Sequence, residues 1–116
     1  MSDRRLKTDL KPLEETALDV VDRLHAYEFT WNDHPENVSL RRNGEHSVGL
    51  IAQDVQASGA GECIIQRTTS GDEPLLAVDY VKLVPYLVES VRTLRRRTAS
   101  LESTRKRKRS SKYSHG

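Results

Sequence analysis

An apolar series near the end of the chain constrains its fold most. Val84, Leu87, Val91, Leu94, Thr98 and Leu101 advance by 3, 4, 3, 4 and 3 residues. That is the a/d step of a heptad, which puts every member on one stripe of a helix. Asp79 stands at the head of the segment, where a carboxylate can cap orphan backbone N–H groups. Pro85 falls in the first turns, where a missing N–H costs less than in mid-helix. The series predicts a long C-terminal helix with two possible destinations for its stripe. It is either a seam between copies of the helix or a face laid on the chain's own core.

Composition bears on that choice. Only 35% of the 116 residues are hydrophobic and 31% are charged. This is one domain's length of chain with a thin core, and thin cores are often supplemented by association. The single cysteine, Cys63, lies in the apolar run Cys63-Ile64-Ile65 and cannot form an internal disulfide. It reads as a small buried hydrophobe. No apolar stretch reaches the ~18 residues of a membrane span, and the start has no apolar signal-peptide region. A soluble chain made in a reducing compartment is expected, with no membrane partner.

Upstream of the long helix the patterns are short. Pro12 can open a helix, and Leu13, Ala17, Val20, Val21 and Leu24 share one face at helical spacing. Glu14 and Glu15 sit in its first turn, where the helix dipole favours negative charge. A helix over 12–24 is expected. Tyr27-Glu28-Phe29-Thr30-Trp31 alternates aromatic with polar residues, a half-buried strand holding three of six aromatics and so much of the core. Residues 32–44 read as a polar loop ending in the Asn43-Gly44 turn. Ser47 to Ile51 is apolar strand or the beginning of a helix. Leu50, Ile51, Asp54 and Val55 mark a short helix ending near Gly59, in which Gln53 and Asp54 cap and pack. Residues 62–67 and 75–78 are short extended segments around a turn. The class is α+β: a small domain of short strands and helices followed by a long C-terminal helix.

Charge divides the chain in two. Residues 1–91 hold nine Lys/Arg and sixteen Asp/Glu, a net of −7, whereas residues 92–116 hold ten Lys/Arg and only Glu102, a net of +9. Such asymmetry points the tail at something anionic: nucleic acid, a membrane surface or another copy's body. Residues 104–116 have no apolar side to bury, so a disordered basic tail is expected beyond a domain at 2–103.

The first ten residues, MSDRRLKTDL, carry a serine and, five positions on, a lysine. Two readings stand: a frayed, charged terminus, or a nucleophilic hydroxyl beside an amine that can take its proton. Glu45 and His46, ahead of the segment VGLIAQDV, could assist a proton transfer or be a surface pair beside a turn. His25, His34 and His115 lack metal-ligand spacing, so no metal and no cofactor is expected.

Four stretches in order carry a resemblance: SDRRLK at 2–7, Leu24 with Tyr27-Glu28-Phe29-Thr30-Trp31, VGLIAQDV at 48–55, and LLAVDYVKLVPYLVESVRTL at 75–94. Together they resemble the intramolecular chaperone domain at the C-terminus of phage tailspikes and tail fibres. This is the endosialidase-type auto-processing peptidase family S74, with a related domain in myelin regulatory factor. The resemblance implies a homotrimer that aligns three chains, assists folding of the upstream fibre of its own precursor, and then releases itself. Carried over by position, Ser2 would be the nucleophile, Lys7 its general base, and the Met1–Ser2 peptide the scissile bond. This chain would then be the released product of a single turnover. The trimer seam would be Val84, Leu87, Val91, Leu94 and Leu101. Assembly would take place in the host-cell cytoplasm, and the domain would be absent from the mature particle.

A different class competes. The RKRKR run at 105–109 suits weak polyanion contact, a small nucleic-acid-binding module, or a nuclear address. Salt separates the readings, because phosphate contacts weaken steeply with ionic strength and apolar association does not.

Overall fold

The computed structural model describes residues 1–13, 15–68, 71 and 73–113, and its class is α+β. A 3-10 turn at Arg4–Leu6 precedes α1 (Thr16–Asp22), β1 (Tyr27–Thr30), α2 (Pro35–Ser39), β2 (His46–Gly49) and α3 (Ala52–Ala57). A second 3-10 turn, Gly61–Cys63, leads into β3 (Ile64–Arg67), then β4 (Leu75–Val78) and α4 (Tyr80–Tyr113). The strands form two separate antiparallel pairs. In one, Tyr27 faces Gly49 and Thr30 faces His46; in the other, Ile64 faces Val78 and Arg67 faces Leu75.

The core lies between α1, α3, the second 3-10 turn and the start of α4. Its buried members are Ala17, Val20, Val55, Ala60, Cys63, Leu83 and Tyr86. Ala17 and Val20 are buried members of the helical face read from the sequence, though α1 is shorter than the expected 12–24. Glu14 lies outside the described residues. Glu15 is the residue before the helix, and the Thr16 hydroxyl donates to the Leu13 carbonyl, 2.8 Å, fixing where the helix begins. Cys63 is fully buried, and desolvation pushes its thiol above the ordinary value. The hydroxyl of Tyr86 donates to the Glu62 carboxylate. That acceptor holds the phenol proton and pushes Tyr86 up to about 12.

The aromatic strand corrects the expected core. Tyr27 is exposed, and Phe29 and Trp31 are only half-buried. A two-stranded ribbon has two open faces, so alternation guarantees sidedness but not a cover. Phe29 and Trp31 instead pack edge to face, centroids 4.8 Å apart, and the Arg42 guanidinium lies 3.7 Å over the Trp31 ring. The loop at 32–44 contains α2, which Pro35 begins with its fixed φ and His34 caps, its Nδ1 accepting from the Glu36 N–H at 3.1 Å. Asn43-Gly44 makes the expected turn, with Gly44 at φ +85°, a region open to glycine.

In α4 two adjacent stripes divide the work. Leu83, Tyr86, Ser90 and Thr93 are buried, facing the body and α1. The heptad stripe, one residue further round, faces solvent: Val84, Leu87, Val91, Leu94 and Leu101 are each about half exposed or more, Val91 at 65%. The stripe is therefore not the face that lies on this chain's own core.

Of the segment expected to be disordered, residues 104–113 are helical, because α4 runs unbroken to Tyr113, and residues 114–116 lie outside the described residues. Lys and Arg are good helix formers, and no glycine or proline interrupts residues 86–113. At ~1.5 Å per residue the 34-residue helix is longer than the rest of the body is wide. The radius of gyration is accordingly 21.3 Å, with extents of 75 × 40 × 21 Å, against about 13 Å for a compact chain of this length. An elongated shape with so few buried side chains leaves a large apolar area in water, which soluble single chains rarely do.

Candidate active site

The N-terminal segment is organised by a carboxylate. Asp3 caps the first 3-10 turn, its Oδ1 accepting from the Arg5 N–H at 2.8 Å. The Arg5 guanidinium closes a fork on the same carboxylate, Nε to Oδ1 3.1 Å and Nη2 to Oδ2 2.9 Å. These contacts hold the Asp3 carboxyl below its ordinary value. Leu6 N–H to Asp3 carbonyl and Lys7 N–H to Arg4 carbonyl, both 3.1 Å, complete the turn.

The turn reverses the chain just enough for Lys7 to come back over Ser2. Lys7 Nζ donates to Ser2 Oγ at 2.9 Å. Both residues are exposed. The turn is local, so the pair is built from six consecutive residues and needs no partner element to form. The distance is within the reach of a proton transfer. Work as a base requires the amine in its neutral form, which exclusion of water or a nearby cation favours.

Asp3 was not singled out by sequence reasoning, although an Asp directly ahead of a short turn is an N-cap signal.

Glu45 and His46 stand on the β1–β2 hairpin. The His46 ring shares a 2.7 Å hydrogen bond with the Thr30 hydroxyl across the strand pair. The Glu45 carbonyl accepts from Trp31 N–H at 2.9 Å, and its N–H donates to the Arg42 carbonyl at 3.0 Å. Among the described residues no hydrogen bond joins either of them to Ser2 or Lys7. His46 also lines an open surface depression with Glu28, Phe29, Thr30, Ser47 and Val48.

The VGLIAQDV segment is a joint between the hairpin and α4. Val48 and Gly49 end β2, and Leu50 N–H donates to the Tyr80 hydroxyl at 2.9 Å. A Cβ on Gly49 would sit 2.7 Å from that oxygen, so only glycine admits this approach. Val55, in α3, is fully buried. Tyr80, the first residue of α4, thus ties the hairpin to the long helix.

Among the described residues, no three His, Cys, Asp or Glu side chains gather as a metal ion requires. No helix there is long and apolar enough to cross a membrane.

The family model described as Chaperone of endosialidase, Peptidase S74, matches residues 2–62, taking in the N-terminal turn, the hairpin and α3. Over 102 residues, 88% of the chain, the sequence is 31% identical to Long tail fiber protein Gp37 of Enterobacteria phage K3. It is likewise 31% identical over 102 residues to Long tail fiber protein Gp37 of Enterobacteria phage T2. The chain spans only 8% and 7% of the length of those two relatives.

Proposed function

The chain belongs to the chaperone-of-endosialidase family, Peptidase S74, and on that premise we propose that it is a self-releasing assembly domain for a fibre protein. Three copies associate along the exposed stripe of α4, Val84, Leu87, Val91, Leu94 and Leu101. They bring three upstream segments of their own precursor into register while the fibre folds, within the host cytoplasm. The domain then cuts the peptide between Met1 and Ser2.

The observation that carries the reading is the 2.9 Å approach of Lys7 Nζ to Ser2 Oγ. In the cut the direction of that hydrogen bond reverses. A neutral Lys7 amine takes the Ser2 hydroxyl proton as Oγ attacks the carbonyl carbon of Met1. The C–N bond then breaks, and the Lys7 ammonium gives its proton to the departing Ser2 nitrogen, leaving an ester on Oγ. Water hydrolyses the ester, freeing a carboxylate on the upstream segment and restoring the Ser2 hydroxyl. Nucleophile and carbonyl are neighbours in one chain, so the reaction gains the advantage of an intramolecular step.

Association supplies the missing condition. Packing of copies over the N-terminal turn excludes water, and desolvation favours the neutral form of an amine. Cleavage then waits for assembly.

The test is a fusion carrying a folded reporter ahead of Met1, followed by intact-mass measurement. A break between Met1 and Ser2 is expected in the native sequence and absent in Ser2→Ala and Lys7→Ala. A break that persists in Ser2→Ala, or falls at another bond, overturns the peptidase reading. The assembly reading then stands or falls on sedimentation.

A further inference from the structure

Neither the N-terminal turn, the hairpin nor the apolar stripe uses the last part of α4. Five consecutive cations, Arg105, Lys106, Arg107, Lys108 and Arg109, lie there in unbroken helix, all exposed. Among the described residues none of the five makes an ion pair; the pairs recorded on α4 are Arg92 with Glu89 and Arg97 with Glu15. The Arg97–Glu15 contact, 3.7 Å, ties α4 to α1. Arg105 lies eight residues beyond it, or about 12 Å along the axis. That exceeds the roughly 10 Å over which charges act at 0.1 M salt, so Glu15 is screened from the arm; Glu102 is the one acid between that contact and the five cations.

We propose that residues 105–109 of α4 are a binding site for the phosphate backbone of double-stranded DNA, without sequence preference. Three features choose this occupant. The first is charge spacing. One cation per residue is one per ~1.5 Å of helix axis, close to the one phosphate per ~1.7 Å of duplex axis. The second is distribution. At about 100° per residue the five side chains surround the helix rather than stripe it, as suits an element lying in a groove with phosphates on both walls. The major groove of B-form DNA admits an α-helix, whereas that of an RNA duplex is too narrow. The third concerns the other polyanionic surface, a membrane. An interfacial helix needs an apolar face, and residues 102–112 contain no apolar side chain.

Association strengthens the site. Side-by-side copies of α4 would bring like-charged arms together, and a phosphate polyanion relieves their repulsion. The proposal is nonetheless independent of the peptidase reading, since it uses neither Ser2 nor Lys7.

The experiment titrates the full chain into a fluorescent 20-base-pair duplex of mixed sequence at rising salt. With five phosphates neutralised, log K should fall against log salt with a slope of about −4.5, or ~500-fold between 50 and 200 mM. Replacing three cations (Arg105→Gln, Arg107→Gln and Arg109→Gln) should cut the slope to about −1.8, or ~12-fold over the same range. Glutamine keeps helix propensity, and circular dichroism checks that α4 persists. Arg→Lys at the same three positions should retain duplex binding, because a point charge suffices for phosphate. A slope near zero, a Gln variant that binds like the native chain, or binding to phosphatidylserine vesicles without duplex binding would each overturn the proposal. Self-cleavage of the reporter fusion should be unaffected by the Gln changes.

Discussion

Gly49→Ala should destabilise the fold, and only because of Tyr80. The added Cβ would stand 2.7 Å from the Tyr80 hydroxyl, well inside contact, while Phe29 Cε1 at 3.5 Å would be undisturbed. The ring must swing away, and Leu50 N–H then loses the acceptor it holds at 2.9 Å. Losing one such hydrogen bond and stranding a half-buried donor costs about 1–2 kcal/mol. Gly49 is not among the residues with left-handed backbone, so alanine is otherwise tolerated and would by itself stabilise by ~0.4–1 kcal/mol through the unfolded chain. The double-mutant cycle therefore has a sign to read. In the native background Gly49→Ala, with a net loss of about 1 kcal/mol, should lower Tm by roughly 3–5 °C. In a Tyr80→Phe background, where the oxygen is gone and the nearest ring carbon lies 3.9 Å away, it should be neutral or stabilising. Thermal unfolding by circular dichroism at one fixed protein concentration measures all four corners. Equal destabilisation in both backgrounds would refute the claim that the hydroxyl's approach is why glycine stands there.

Three other outcomes follow from single contacts. Ser90 Oγ is buried between α4 and the body with no hydrogen-bond partner among the described residues, so Ser90→Ala should raise stability by about 1 kcal/mol in denaturant unfolding. The Tyr86 phenol, raised from 10.0 to about 12 by Glu62, stabilises the fold fully below pH 10. That contribution fades as pH climbs through 12, so a pH series of melts should show a loss in the native chain that Tyr86→Phe lacks. Asp3→Ala removes the cap that shapes the turn under Ser2 and Lys7; misplacing the pair by about 1 Å should slow release of a fused reporter ~10- to 100-fold, with melting unchanged because the turn is exposed.

Sequence reading succeeded where structure is local: the helical face of Ala17 and Val20 needs only its own period. Ser2 and Lys7 also meet through one turn of chain, a contact that leaves their chemistry to be tested. It failed where distance along the chain matters. Nothing near Gly49 announces a tyrosine 30 residues away. The aromatics of β1 outweigh Ala17, Ala60 and Cys63 in bulk, yet these small residues form the core because α1 packs on α4 and the second 3-10 turn packs on both α3 and α4 at short range. On α4 the apolar stripe was legible, but its neighbour, Leu83, Tyr86, Ser90 and Thr93, is too mixed to read as the buried face. The arm at 104–113 lacks an apolar partner, which argued for disorder. Helix propensity and an uninterrupted register carried it instead. Glu45 and His46 adjoin the VGLIAQDV segment in sequence but bond within the hairpin, since strand pairing sets their neighbours.

The central claim is that copies dock along the outward stripe of α4 and thereby switch on the Ser2–Lys7 pair. Leu87 and Val91 are exposed in the single chain, so Leu87→Asp with Val91→Asp should leave the lone fold intact while placing charge in the seam. The decisive measurement is the rate of reporter release by this double variant, beside its sedimentation. The account predicts a folded monomer that does not release the reporter. A monomeric variant that cleaves at the native rate would contradict it.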